Sequence, residues 1–221
     1  MAKESDIARH RRAGEIVAAL RRMYPDAHCA LNHKNAYELL VATILSAQCT
    51  DVRVNMVMPA LMAKFPTPKA MAAASLKDIE KLIASTGFFR NKAKSLKASG
   101  EDIVTKYGGQ VPATMEELTA LAGVGRKTAN VVLGNAYGKN VGVVVDTHVG
   151  RLSGRLGLTR HTNPVKIEQD LMKLVPQNDW TMFSHWMITH GRKVCMARKP
   201  NCAGCALLKL CPNGTKALAK K

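Results

Sequence analysis

Only one stretch of this chain reads as a β-strand, and that restricts the fold class more than any other feature. Residues 141–145, Val-Gly-Val-Val-Val, end at Asp146, and no second run of this kind is present to pair with them. A lone strand leaves its backbone donors and acceptors unmatched. The segment is therefore expected as an extended crossing between two helical lobes, and the fold class as all-α. Everything else with a period repeats at helical spacing. Ile16, Val17, Leu20 and Tyr24 stripe a basic first helix that stops at Pro25. Asn35 is suited to cap a second helix that carries Tyr37, Leu40, Val41, Ile44 and Leu45 into a core. After a polar break at residues 46–50, Asp51 is expected to cap a third helix reaching about Phe65, kinked at Pro59. Ser75 and Asp78 open a short helix that closes near Gly87, and residues 91–106 form a longer basic one ended by Gly108 and Gly109. Residues 166–174 and 180–190 read as helices, whereas the small, basic residues 212–221 are expected to fray.

At 221 residues the chain has room for one large domain or two small ones, each with a real core. Lys and Arg number 33 against 16 acidic residues, a formal charge of +17. That excess points to a polyanionic partner; a nucleic-acid binder and a ribosome-associated protein both fit. The start, Met-Ala-Lys-Glu-Ser-Asp, has no apolar core of a secretory signal, and the apolar runs at 41–45 and 141–145 are too short to span a bilayer. A reducing, cytoplasmic setting and no membrane partner are the expectation. In such a compartment the six cysteines read as metal ligands or buried thiols before disulfides.

Residues 121–130 read Leu-Ala-Gly-Val-Gly-Arg-Lys-Thr-Ala-Asn. Before them Thr114 and Glu117 have the spacing of a capping box, opening a short helix over about 116–122; after them a second helix starts near Thr128. Gly123 and Gly125 free the backbone and leave amides uncovered, so a phosphate can approach the second helix's N-terminus. A helix, tight hairpin and helix of this kind grips a nucleic-acid backbone without reading its bases. Arg126 and Lys127 follow that grip directly. The run Gly-Val-Gly-Arg-Lys-Thr is not a phosphate-binding P-loop, which needs Gly-Lys adjacent and a preceding strand.

Cys195, Cys202, Cys205 and Cys211 lie within seventeen residues, spaced C-x6-C-x2-C-x5-C. Four thiolates so close can enclose zinc or an iron–sulfur cube, and the spacing leaves both open. Arg198 and Lys199, in the loop between the first two, suit phosphate contact, or simply a solvated loop. Cys29 and Cys49 stand apart and read as buried small residues.

Taken together, the hairpin with its following Val-Val-Leu (121–133), Val-Asp-Thr-His-Val (145–149) and the four-cysteine pattern (195–211) resemble the endonuclease III family of helix-hairpin-helix DNA glycosylases. Leu-Ser-Ala-Gln-Cys-Thr-Asp (45–51) and His190-Gly-Arg192 add to the likeness, which runs from about residue 10 to 212. Ala122 departs from it, standing where the family commonly has proline, which can loosen the hairpin slightly. The resemblance implies a six-helix domain with the hairpin at 29–139 and a [4Fe–4S] cluster domain built from 1–28 and 140–221, with substrate in the cleft between them. It implies a bifunctional glycosylase and abasic-site lyase of base excision repair, acting as a monomer, nucleoid-associated, on double-stranded DNA with damaged pyrimidines or abasic sites. A non-catalytic iron–sulfur DNA binder or electron carrier, and an adenine-mismatch glycosylase, are the competing readings. The adenine-mismatch branch lacks a lysine at this position and adds a C-terminal domain, whereas this chain stops ten residues after its last cysteine.

By the same resemblance Lys127 is the nucleophile that forms a Schiff base, its amine made neutral by nearby cations, the helix end and a desolvated cleft. Asp146 is the essential carboxylate, and also a natural N-cap for a helix beginning at Thr147. Gln48 is the residue that fills the gap left by an extruded base, and Phe88 falls where the family places an apolar wedge, although its residue type alone argues for the core. His148 reads either as a hydrogen-bonding helper or as a packed histidine. Gly123, Gly125, Arg126, Arg198 and Lys199 complete the expected DNA contacts, and Cys195, Cys202, Cys205 and Cys211 the cluster ligands.

Overall fold

The computed structural model describes residues 4–219, and among them there is no β-strand; residues 141–145 run without helix or ladder. The chain divides into two compact units, one of Cys29–Lys139 and one of Met1–His28 with Asn140–Lys221.

The first unit is built around α2 (Ala36–Leu45), which buries eight of its ten residues. A helix apolar on every side has to be surrounded, and α3 (Asp51–Lys64), α6 (Phe89–Tyr107) and α8 (Arg126–Ala136) pack on it. Shorter pieces close the remaining gaps: α4 (Pro68–Ala73), α5 (Leu76–Ile83), a 3-10 turn at Ala84–Thr86, and α7 (Met115–Thr119). The expected caps hold at α2, where Asn35 Oδ1 accepts from Glu38 N at 2.9 Å, and at α5, where Ser75 Oγ accepts from Asp78 N at 3.1 Å. At α3 the cap is Thr50 rather than Asp51: the hydroxyl accepts from Arg53 N at 3.3 Å, and Asp51 becomes the first helical residue, its charge at the positive helix end. α3 continues through Pro59 to Lys64. Cys29 and Cys49 are half-buried at the edge of this core instead of inside it.

α4 was not anticipated, although Thr67 caps it and Pro68 opens it. It packs flush on α6 because position 100 lacks a side chain: a Cβ there would lie 2.9 Å from Pro68 O and 3.1 Å from Ala72 N. Gly100→Ala is expected to lower stability by about 1–2 kcal/mol. The clash with backbone atoms outweighs the ~1 kcal/mol that alanine normally gains in a helix. Urea unfolding of the variant measures the sign; a stabilised variant would show that α4 can move away freely.

In the second unit α1 (Asp6–Met23) lays Ile16, Val17 and Leu20 in a core with Val149 and Leu152 of α9 (Thr147–Arg155), Leu171 of α10 (Pro164–Leu174), and Phe183 and Met187 of α11 (Trp180–Lys193). Arg12 reaches from α1 to Leu210 O at 3.0 Å and pairs with Glu4 at 2.8 Å. The C-terminal segment is ordered, not frayed: α12 spans Pro212–Ala219, and residues 220–221 lie outside the described range. Proline suits a first helical turn, and Thr215 N closes that turn on Cys211 O at 3.2 Å.

Candidate functional site

In the Cys29–Lys139 unit, Thr114 caps α7 as the expected capping box requires, but Glu117 answers to the Thr114 hydroxyl and not to its backbone N–H. The hydroxyl accepts from Glu117 N at 3.3 Å and donates to Glu117 Oε2 at 2.7 Å. α7 is one turn long and is followed by the hairpin, which turns at Gly123 with φ +77°. A Cβ at Gly123 would stand 2.7 Å from Ser95 Cβ on α6, so both the turn and the close approach require glycine. Ser99, one helical turn further along α6, donates to Ala122 O at 2.6 Å and ties the hairpin to α6 at that residue. Gly125 is the N-cap of α8. It has ordinary extended backbone, and its use is different: it places no side chain over the first amides of the helix. Arg126 and Lys127 are the first two residues of α8 and both are exposed.

Two loops of the same unit present Gln48 and Phe88. Among the described residues these are the only non-glycine residues with positive φ, at 52° and 46°. Such backbone costs on the order of 1–3 kcal/mol and persists where surrounding structure enforces it. Both side chains are exposed, Phe88 to 65%, so Phe88 is not the core residue its type suggested. Phe88 N-caps α6 through its own carbonyl, which accepts from Asn91 N and Lys92 N at 3.1 Å. Sequence reasoning passed over Lys92. It looks like one more cation on a basic helix, yet it is 5% exposed and donates to two main-chain carbonyls.

In the other unit Asp146 is half-buried and caps α9, its Oδ1 accepting from Val149 N at 2.7 Å. His148 is half-buried, both packed and within hydrogen-bond distance of a neighbour. Its Nδ1 sits 2.7 Å from where a Gly191 Cβ would be, and 3.2 Å from Arg151 Nη2.

Cys195, Cys202, Cys205 and Cys211 line one small cavity of about 30 Å³, together with Leu152 and His190. N–H groups point at two of the sulfurs, Arg155 Nη1 at 3.3 Å from Cys195 and Gly214 N at 3.3 Å from Cys211, and His190 Nε2 lies 3.5 Å from Cys205. Burial pushes the Cys205 thiol above its ordinary range, and neighbouring Cys195, Cys211 and Cys202 add to that, with a backbone bond at Leu207 acting the other way. Four soft donors crowded in this way, each disfavouring its neighbour's charge, suit a cationic inorganic core. Among the described residues no three His, Cys, Asp or Glu side chains stand close enough to hold a single metal ion. The loop from Cys195 to Cys202 is pinned from beneath, Arg155 donating to Met196 O and Ala197 O at 2.8 Å, while Arg198 and Lys199 remain exposed.

No helix among the described residues is long and apolar enough to cross a membrane. The profile of the HhH-GPD superfamily of base excision DNA repair proteins matches residues 41–177. Endonuclease III of Synechocystis sp. is 56% identical over 93% of this chain and 94% of its own length. Endonuclease III of Bacillus subtilis is 46% identical over 88% and 89%. A solved structure of a trapped endonuclease III–DNA covalent intermediate, an estranged-adenine complex, superposes with a TM-score of 0.89 at 43% identity, covering 95% of this chain and 98% of that one. The chain belongs to the endonuclease III family within the HhH-GPD superfamily of base excision DNA repair proteins.

Proposed function

We propose that this chain is a bifunctional DNA glycosylase and abasic-site lyase of base excision repair. It removes oxidised pyrimidines from duplex DNA and cuts the strand 3′ to the resulting abasic site. Lys127 carries the reading. It is an exposed amine two residues past a bare glycine N-cap, in a chain 43% identical to an endonuclease III captured covalently on DNA. The open amides of α8 hold a phosphate, with Gly123, Gly125 and Arg126 forming the grip, and this sets the neighbouring sugar beside Lys127. Bound DNA also supplies the exclusion of water that favours a neutral amine.

Nζ gives up a proton and bonds to C1′ as the bond from C1′ to the base breaks. The electron pair leaves with the base, which is protonated. The sugar ring opens, its oxygen taking a proton, and an iminium joins Nζ to C1′. The iminium makes a C2′ proton acidic; its loss drives the pair toward C3′ and expels the 3′ phosphate. Water then releases the lysine. To Asp146, rigid as a helix cap, we assign proton acceptance from the amine and stabilisation of positive charge at C1′. Gln48 and Phe88 take the space of the extruded base.

The unit of 29–139 is on this reading the helix-hairpin-helix domain, and that of 1–28 with 140–221 the cluster domain. Cys195, Cys202, Cys205 and Cys211 would hold a [4Fe–4S] cluster, which when bound supplies four metal–thiolate links that close the loop. That loop then presents Arg198 and Lys199 to phosphate. We place the protein in the cytoplasm, at the nucleoid, acting as a monomer.

Borohydride reduction of a mixture with a thymine-glycol duplex tests the proposal. A covalent protein–DNA adduct is expected, whereas a non-catalytic iron–sulfur DNA binder or a monofunctional adenine-mismatch enzyme would leave none. Affinity for the duplex should also fall about a hundredfold between 50 and 200 mM salt, the response to roughly four neutralised phosphates. Replacing Arg198 and Lys199 together by alanine is expected to flatten the log–log slope by about 2. An unchanged slope would remove the loop from the interface.

A further inference from the structure

Lys92 lies on the first turn of α6, facing inward, and its Nζ donates to Leu45 O at 2.8 Å and to Thr86 O at 2.7 Å. Leu45 is the last residue of α2, where carbonyls have no partner within the helix and a cation is favoured. Thr86 ends the 3-10 turn and is itself 2% exposed. Each of the two carbonyls opens a loop. Three residues beyond Leu45 stands Gln48, and two beyond Thr86 stands Phe88, both exposed and, among the described residues, the two non-glycine residues with positive φ. One buried ammonium thus ties together the roots of both strained loops. Burial works to lower the pKa of Lys92, while the Cys49 thiol works the other way. A satisfied core lysine needs only acceptors; here the acceptors are the two that set the separation of Gln48 from Phe88.

We propose that Lys92 is a positioning residue for base extrusion: by holding Leu45 O and Thr86 O on one ammonium, it fixes the spacing of Gln48 and Phe88 so that they enter the duplex as a pair. This rests on the function proposed above. Lys92 touches neither DNA nor the reacting atoms. Its effect should appear only where a base pair has to be opened and the gap filled.

The test compares wild type with Lys92→Met, similar in length and without donors, on two substrates. One is an intact duplex with thymine glycol opposite adenine. The other is an abasic site opposite a one-nucleotide gap, where no partner base remains to be stabilised. The single-turnover rate on the intact duplex is expected to fall about 10–100-fold, the worth of one or two lost base-stacking contacts. On the gapped duplex the borohydride-trapped yield and strand-cleavage rate should stay within about threefold. Equal losses on both substrates would reduce Lys92 to a general stabiliser, and no loss on the intact duplex would overturn the proposal outright. Should wild type form no adduct on either DNA, the proposed function fails on its own. The loops are then judged in free protein, where amide exchange at residues 46–50 and 86–88 should quicken together in the variant; exchange unchanged in either loop rejects the coupling. Lys92→Gln, with a shorter neutral donor, is held to the same criteria if methionine prevents folding.

Discussion

Lys127→Gln is expected to abolish strand cleavage and borohydride trapping, with a loss of about a thousandfold or more, and to leave duplex affinity within a few fold of wild type. The asymmetry follows from where the residue sits. The hairpin is held by Ser99 on Ala122 O and by the contact of Gly123 with Ser95, none of which involves position 127. Lys127 is exposed on α8, so glutamine there disturbs no packing. What disappears, on the proposed function, is the nucleophile, and effects of that kind are far larger than the value of one surface charge. Lys127→Arg sharpens the test. It keeps the positive charge for phosphate, yet a guanidinium stays protonated and cannot form the iminium, so it should be as inert as glutamine while binding like wild type. Strand cleavage by either variant, measured on an abasic-site duplex, would mean that another amine does the chemistry.

How much of this was legible beforehand depended on distance along the chain. The caps of α2, α5 and α7 were readable because Asn35, Ser75 and Thr114 each act on a backbone amide three residues away. Asp146 was readable as a cap for the same reason. Thr50 and Asp51 are adjacent and both able to cap, so choosing between them needed the backbone itself. α4 and α12 have six and eight residues, too few for a helical period to stand out from composition. Thr67 and the opening prolines Pro68 and Pro212 were present but carried no pattern behind them.

The site divides along the same line. The hairpin and the four cysteines are contiguous in sequence, so their chemistry is written in spacing. Lys92 is the opposite case. Its partners are 47 and 6 residues away and are both main-chain oxygens, which no side-chain pattern records. Phe88 was ambiguous because aromatic residues are usually buried; its exposure follows from a left-handed backbone that the preceding Gly87 permits but does not announce. The dry environment wanted for Lys127 was inferred from the chemistry alone.

If the four cysteines hold the proposed cluster, replacing one of them, for example Cys205→Ala, is expected to remove the visible absorption of the purified protein and lower its stability by several kcal/mol, because metal binding at such a site is also folding free energy. The segment from 195 to 211 has little regular structure of its own, one 3-10 turn at Leu208–Leu210, and its anchors are few. Arg155 and Arg151 hold its carbonyls, and Leu207 is its buried apolar contact. Without four sulfur links the three crowded thiols that remain repel one another once ionised, and His190 loses the sulfur it faces at 3.5 Å. α12 begins one residue after Cys211, with Gly214 N on that sulfur at 3.3 Å, so loss of the proposed cluster should also loosen the C-terminal helix. Cys29→Ser and Cys49→Ser are the controls, since both thiols lie in the other unit. They should keep the full iron and sulfide content. Elemental analysis decides among the alternatives: about four irons per chain for the cluster, one zinc for a mononuclear site. Metal content unchanged in Cys205→Ala would mean that this cavity is not where the metal resides.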